Sequence, residues 1–445
     1  MLYVGIDWGD GGSAVAAMDE EGRELKKWKV KQAKEDYERL VAEVSRLEAS
    51  PGNVSFAIET PHHPLIHFVV ERGYAAYTPN PKSVDRAREI ERPSGGKDDF
   101  FDAVTLANMV RTDRGRLRRF VADSPSLVKL RLMCDEHRSL VERRTALINR
   151  VTHCLKAYWP DALELFSGVD TGVAMAFFER WSDPVAAGRA QGRTVRGFFK
   201  SRGYTCPGRV EEILAALRRE PLPVPAEARE ARSVQLKSLL AQLAVVREQC
   251  DAYEKQIAEQ FDAHPDAHIF RSLLVGKDSK SRVLVARLLC DFGDRRDRYA
   301  SREEVLALAG VAPVTYETGG GNYRVVRMRR ACRKDFHNDV RHLSDLYRQH
   351  YPWAAAIYRA HRGEDKGHNK ALRALGSVLV RIIYGMWKSG KEFDPDIYLA
   401  RRGEQQLRHA DRRSRANKKG RRHSPVRQTA SQLGPQLRDK IVQPI

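Results

Sequence analysis

The sequence predicts an α/β domain followed by a mainly helical chain: a mixed sheet covered by helices, a helical coiled-coil stalk, and a second compact domain rich in helix. Three features of the pattern point to this class. Short apolar or alternating runs crowd into the residues before Lys31. Two long segments, Ser124 to Ala157 and Ala226 to Phe261, repeat apolar residues every three to four positions. Past Ala267 the chain is helical in pattern except between Ala309 and Met328.

Leu2 to Asp7, Ser13 to Met18 and Glu24 to Val30 are separated by Gly-Asp-Gly-Gly and Asp-Glu-Glu-Gly turns, which reads as an antiparallel meander. A charged helical pattern at Ala33 to Glu48 leads to a short buried strand, Val54 to Ile58. A helix near Pro64 to Arg72 and a strand around Tyr74 to Tyr77 complete a βββαβαβ order, which sets the end of the first strand beside the end of the Val54 strand. Pro160 ends the Ser124 helix, residues 161–222 read as short helices broken by Gly and Pro, and Pro221, Pro223 and Pro225 mark a boundary. The expected division is a sheet domain at 1–123, a coiled-coil stalk at 124–264 carrying an insertion at 161–222, a carboxy-terminal domain at 265–399 and a basic tail at 400–445.

The 445 residues provide ample chain for a buried core and exclude a disulfide-stabilised mini-protein. Lys and Arg number 78 against 58 Asp and Glu, a net charge of +20, which predicts a polyanionic partner, either nucleic acid or an anionic membrane surface. The membrane option is the weaker, because no stretch approaches the ~18 uninterrupted apolar residues of a spanning helix. MLYVGIDWGD also carries an Asp where a signal peptide keeps its apolar stretch. A soluble cytoplasmic protein acting at the nucleoid is expected. Six cysteines without a CxxC pair argue against a zinc ribbon and a disulfide framework. From Arg401 to Arg427 there are eleven Lys and Arg against two acids, with almost no apolar residue, so this tail is expected to stay disordered until it meets phosphate.

Four acids stand where a metal site would need them. Asp7 closes the first strand and is followed by Gly9, Gly11 and Gly12; Glu59 closes the strand VSFAIE; Asp99 and Asp102, three apart at a helix start, share one face. Gathering four carboxylates is costly unless cations neutralise them, and hard oxygen donors favour Mg2+, with two ions supporting in-line phosphoryl displacement and Mn2+ as a substitute. Two acids ending two apolar strands, with an acid pair opening a helix, is the pattern of nucleases with an RNase H-like fold. His62, His63 and His67 lack partners at ligand spacing and read as surface or packing residues. In LAGVAPVTYETGGGNYRVVRMRR, the Pro, Thr and three consecutive Gly favour a tight, adaptable loop. Arg324, Arg327, Arg329, Arg330, Arg333 and Lys334 follow with no acid among them and predict a phosphate nearby.

GIDWG around Asp7, AIETP around Glu59 and GGKDDFFDA around Asp99 and Asp102 resemble the RuvC-like domain of the DEDD insertion-sequence transposases, the bridge-RNA-guided recombinases related to the Piv invertase. LAGVAPVTYETGGG followed by VVRMRRAC resembles their carboxy-terminal transposase domain, so the likeness covers residues 1 to about 160 and 265 to about 390. The resemblance implies a recombinase that moves its own element between donor and target DNA. It implies a Mg2+ site on Asp7, Glu59, Asp99 and Asp102, a structured element-encoded guide RNA, and a homo-oligomer, dimer or tetramer, whose two domains reach one site from different subunits.

Two departures from the family pattern stand out. The family's serine nucleophile precedes a Gly, whereas this chain reads APVTYETGG, which aligns Thr318, with Thr315 in reserve. A threonine hydroxyl can attack phosphorus when activated, but its methyl crowds an in-line approach. The family's PGIG turn is replaced by LLVGKDSKSR, which keeps one Gly and adds Lys277, Lys280 and Arg282 as phosphate contacts. Two alternatives therefore stay open: a metal-dependent, structure-specific DNA nuclease in which Thr318 plays no part, and a catalytically impaired nucleic-acid-binding relative of a transposase.

Overall fold

The computed structural model describes the chain from Met1 to Asp396 apart from Asp10, residues 60–62, residues 92–97, Arg118, Thr205, and residues 276–278, 319–322 and 363–366. The expected basic tail at 400–445 lies outside the described residues. The chain divides into two compact units: residues 1–129 with 293–298, and residues 130–292 with those from 299 onward.

The first unit is a five-stranded mixed sheet with helices on both faces. Its strands are β1 (Leu2–Asp7), β2 (Ser13–Met18), β3 (Glu24–Val30), β4 (Val54–Ile58) and β5 (Ala75–Tyr77), in the spatial order β3-β2-β1-β4-β5. β1, β2 and β3 form the antiparallel meander, and β4 and β5 continue from β1 in parallel. Gly12, at φ +119°, closes the β1–β2 turn in a conformation that an L side chain rarely adopts.

β1, β2 and β4 are buried throughout because both of their faces are apolar, as expected of strands covered on both sides. Val4, Ile6, Val15, Phe56 and Ile58 face α1 (Lys34–Leu47) and α2 (Pro64–Glu71), where Tyr37, Leu40, Val44, Leu65 and Val69 complete one core. The opposite face carries small residues. Ala14 and Ala16 meet Ala103 there, and Tyr3 and Ala57 meet Val84 of α3 (Pro81–Glu91) and Leu106 of α4 (Asp99–Asp113). β3 is the open edge, and Lys26, Lys27 and Lys29 along it oppose pairing with another sheet. The chain returns to this unit at residues 293–298, where Arg298 pairs with Asp123 and the Ser124 amide donates to Asp294 at 3.1 Å.

Among the described residues, the second unit is helical apart from one hairpin. Most of α5 (Pro125–Tyr158) packs with α10 (Ala226–Asp262) through Leu147, Val151 and Leu155 against Leu236, Leu239 and Leu243. The expected insertion is a folded aromatic lobe. Its helices α6 (Gly172–Arg180), α7 (Pro184–Arg189), α8 (Gly192–Ser201) and α9 (Pro207–Leu217) gather Phe177, Phe178, Trp181, Phe198 and Phe199 onto the end of that helix pair. Beyond it come α11 (Ala267–Arg271), α12 (Ser279–Phe292), α13 (Arg302–Leu308), the strands β6 (Val314–Thr318) and β7 (Tyr323–Arg327), then α14 (Lys334–His350), α15 (Pro352–Arg362) and α16 (His368–Ser389). Trp387, Phe292, Phe336 and Tyr347 fill this core.

The segment expected as a loop is thus largely an antiparallel hairpin, in which Val314 pairs with Arg327 and Thr318 with Tyr323. VTYET and YRVVR are rich in β-branched and aromatic residues, and the glycines between them leave both runs free to pair. All six cysteines are free, and no helix among the described residues is long and apolar enough to cross a membrane.

Candidate metal centre

The site begins with strand register. β1 and β4 run parallel with Ile6 opposite Ile58, so Asp7 and Glu59 leave the same end of two adjacent strands. Gly5 admits the third element. A Cβ there would collide with the Ala103 carbonyl oxygen and lie 2.5 Å from the Ala107 nitrogen, so only glycine lets α4 settle directly onto β1. That close approach carries Asp102, the neighbour of Ala103, to the sheet, where it is 1% exposed. Asp98 caps α4, accepting from the Phe100 amide at 3.2 Å, which leaves Asp99 in the first turn, exposed and one turn before Asp102.

The electrostatics record the convergence. Burial and the charges of Asp102 and Glu59 push the Asp7 carboxyl up to about 6, Asp99 pushes in the same direction, and Arg88 opposes them. Arg88, on α3, is a residue that the sequence did not single out. Its Nε lies 2.6 Å from Asp102 Oδ1, its Nη2 3.5 Å from Glu59 Oε2 and its Nη1 3.1 Å from Asp85 Oδ1. Glu91, one turn on, accepts from Thr105 Oγ1 at 2.9 Å and Asn108 Nδ2 at 2.8 Å, which ties α3 to α4 and fixes where Arg88 points. Nothing in RAREIE distinguishes Arg88 from Arg86; the packing of α3 makes the choice.

Asp102 Oδ2 is buried and has no hydrogen-bond partner among the described residues. An orphaned carboxylate oxygen among hard oxygen donors suits a divalent cation such as Mg2+. Among the described residues, however, no three His, Cys, Asp or Glu side chains stand close enough to hold an ion, so the carboxylates would have to draw inward to do so. His63 is a helix cap, its Nδ1 accepting from the Leu65 amide at 3.2 Å, and His67 packs edge-on against Phe120; His62 lies outside the described residues.

The residues expected at the nucleophile and phosphate positions belong to the second unit. Thr318 ends β6 and Arg324 lies in β7, but their side chains, like that of Lys280, fall outside what the structure describes, as does Lys277 altogether. Arg282 pairs with Asp262 at 3.4 Å, and the Arg327 guanidinium lies 5.5 Å from the centre of the Tyr316 ring. Arg329 is half-buried, whereas Arg330 and Lys334 are exposed. Arg333 is held by the buried Asp291 at 3.1 Å.

Residues 4–160 match the DEDD transposase family of the IS110 type, described as "Transposase". The "Mini-circle putative transposase for IS117" of Streptomyces coelicolor is 27% identical over 405 residues, covering 88% of this chain and 95% of that protein. The "Insertion element IS116 uncharacterized 44.8 kDa protein" of Streptomyces clavuligerus is 26% identical over 408 residues, 88% of this chain and 96% of its own length. "Putative transposase y4uE" of Sinorhizobium fredii is 29% identical over 203 residues, 44% of this chain and 56% of its own. The chain is therefore similar along most of its length to a putative insertion-sequence transposase, and its amino-terminal part, residues 4–160, matches the model of the DEDD transposase family of the IS110 type.

Proposed function

We propose that the protein breaks and rejoins DNA to move an insertion sequence, using Asp7, Glu59, Asp99 and Asp102 as the ligands of Mg2+ and the Thr318 hydroxyl as nucleophile. The observation that carries this reading is the convergence of acids: Asp7 and Glu59 leave the same end of two paired strands, and the buried Asp102 on α4 shares Arg88 with Glu59, a gathering of like charges that a divalent cation would relieve. When bound, Mg2+ neutralises charge and polarises a phosphoryl oxygen. The four carboxylates hold that charge in place. The Thr318 oxygen forms a bond to phosphorus as the bond to one deoxyribose oxygen breaks, with one proton lost from the threonine hydroxyl and one gained by the departing oxygen, so the number of phosphate ester bonds is conserved and the exchange can be reversed for religation. Arg327, Arg329, Arg330 and Lys334, with Lys277 and Lys280, supply positive charge for phosphate. A structured RNA from the same element as guide, and a dimer or tetramer as the working form, belong to the same proposal and rest on the resemblance alone.

Incubation with a labelled DNA duplex that spans the element's end, followed by denaturing electrophoresis, tests the chemistry. The unaltered protein is expected to give a covalent protein–DNA band that both Thr318→Ala and Asp7→Asn abolish. Threonine in place of the family serine favours one rival, a metal-dependent nuclease acting through water. On that reading Thr318→Ala keeps full cleavage and no adduct forms with either protein.

A further inference from the structure

Among the described residues, Arg88 is the one cation seen to pair with two of the proposed metal ligands. Its guanidinium lies 2.6 Å from Asp102 Oδ1 and 3.5 Å from Glu59 Oε2, between an acid on α4 and one at the end of β4. Asp102 is 1% exposed, and its second oxygen is buried without a partner among the described residues. A divalent ion drawn to these carboxylates meets a fixed positive charge on the same groups, and the repulsion grows with the product of the two charges. Arg88 also has another partner at hand. Asp85, one turn earlier on α3, accepts from Nη1 at 3.1 Å, and its side chain is 61% exposed, so it can hold the guanidinium near solvent. Glu91 anchors α3 to α4 through Thr105 and Asn108, so α3 is tied in place independently of the acids with which Arg88 pairs.

We propose that Arg88 is the resident counter-cation of the acidic cluster, that it competes with the divalent ion for Asp102 and Glu59, and that it turns to Asp85 and the DNA phosphate when the ion binds. Before loading, it lets the acids sit together while ionised. After loading, it becomes a positioning residue for the phosphodiester. Because the two binding events share one side chain, each favours the other, and the coupling is reciprocal. DNA that draws Arg88 outward strengthens metal binding, and bound metal strengthens DNA binding.

This inference rests on the four-carboxylate reading of the site, and titration of the full-length protein with Mn2+, with free ion followed by electron paramagnetic resonance, separates the two. Arg88→Gln is expected to bind Mn2+ about tenfold tighter than the unaltered protein, as removal of one nearby like charge predicts. Arg88→Lys should stay close to the unaltered value. A short DNA duplex should tighten Mn2+ binding more in the unaltered protein than in Arg88→Gln. Asp85→Asn, at an exposed position, keeps the test open should Arg88→Gln fail to fold, and it should weaken Mn2+ binding several-fold by removing the alternative partner. Unchanged or weaker binding in Arg88→Gln, or an Asp85→Asn affinity equal to that of the unaltered protein, overturns the inference. If Asp7→Asn binds Mn2+ as the unaltered protein does, the four-carboxylate reading itself fails.

Discussion

Gly5 decides how near α4 can come to the sheet, and through that where Asp102 stands. Gly5→Ala sets a Cβ against the Ala103 carbonyl and the Ala107 nitrogen, which are backbone atoms of a packed helix and cannot rotate aside. The expected loss is about 3 kcal/mol of stability, the upper part of the usual range for overpacking. Urea denaturation measures it, and a midpoint within error of the unaltered protein would show that α4 shifts freely. The sequence pointed to the acids because each sits at a strand end or helix start, where a carboxylate is easily recognised. It did not point to Gly5 or Arg88, whose roles depend on which backbone lies across the interface. Asp98 and Asp99 were separable only through the capping hydrogen bond, which assigns Asp98 to the helix terminus.

At the scale of elements, β1, β2 and β3 begin and end where the apolar runs do, because Gly and Asp turns bound them. The long helices followed from periodicity in the same way. The β6–β7 hairpin was less legible, since three glycines signal a turn and the short flanking runs carry little pattern of their own. The return of residues 293–298 to the first unit depends on pairs such as Arg298 with Asp123, which no local signal announces.

The junction of α12 and α14 yields a pH prediction. Burial raises the Asp291 carboxyl to about 7, with Asp339 adding to the shift and Arg333, Arg138 and Arg131 opposing it. Between the ordinary carboxylate pKa of 3.8 and about 7, the folded protein therefore keeps a proton that the unfolded chain has released, so stability falls as pH rises through this window and levels off above it. Asp339 is shifted in the same direction, also mainly by burial. Asp291→Asn should flatten the slope of denaturation midpoint against pH between 5 and 7 without abolishing it. An unaltered slope would mean that Asp291 stays ionised beside Arg333.

For the whole molecule the net charge of +20 would govern the proposed association with nucleic acid. Eleven Lys and Arg against two acids between Arg401 and Arg427 concentrate much of that excess beyond the described residues. Removing residues 401–445 should reduce the steepness of log affinity against log salt for a DNA duplex by several units, at about 0.9 for each phosphate that is no longer neutralised. Mn2+ binding should be unaffected, because the proposed ligands all lie in the first unit. Filter binding over a series of salt concentrations measures the slope, and an unchanged slope would assign the tail to another purpose.

The in-register pairing of Ile6 with Ile58 also limits how such a protein can drift. Side chains alternate faces along a strand, so one residue gained or lost inside β1 or β4 would turn the following carboxylate toward the wrong helix layer. Length changes among diverging copies of the gene are therefore tolerable in the turns and between helices, whereas the stretches leading into Asp7 and Glu59 must keep their count even as their apolar residues exchange for one another.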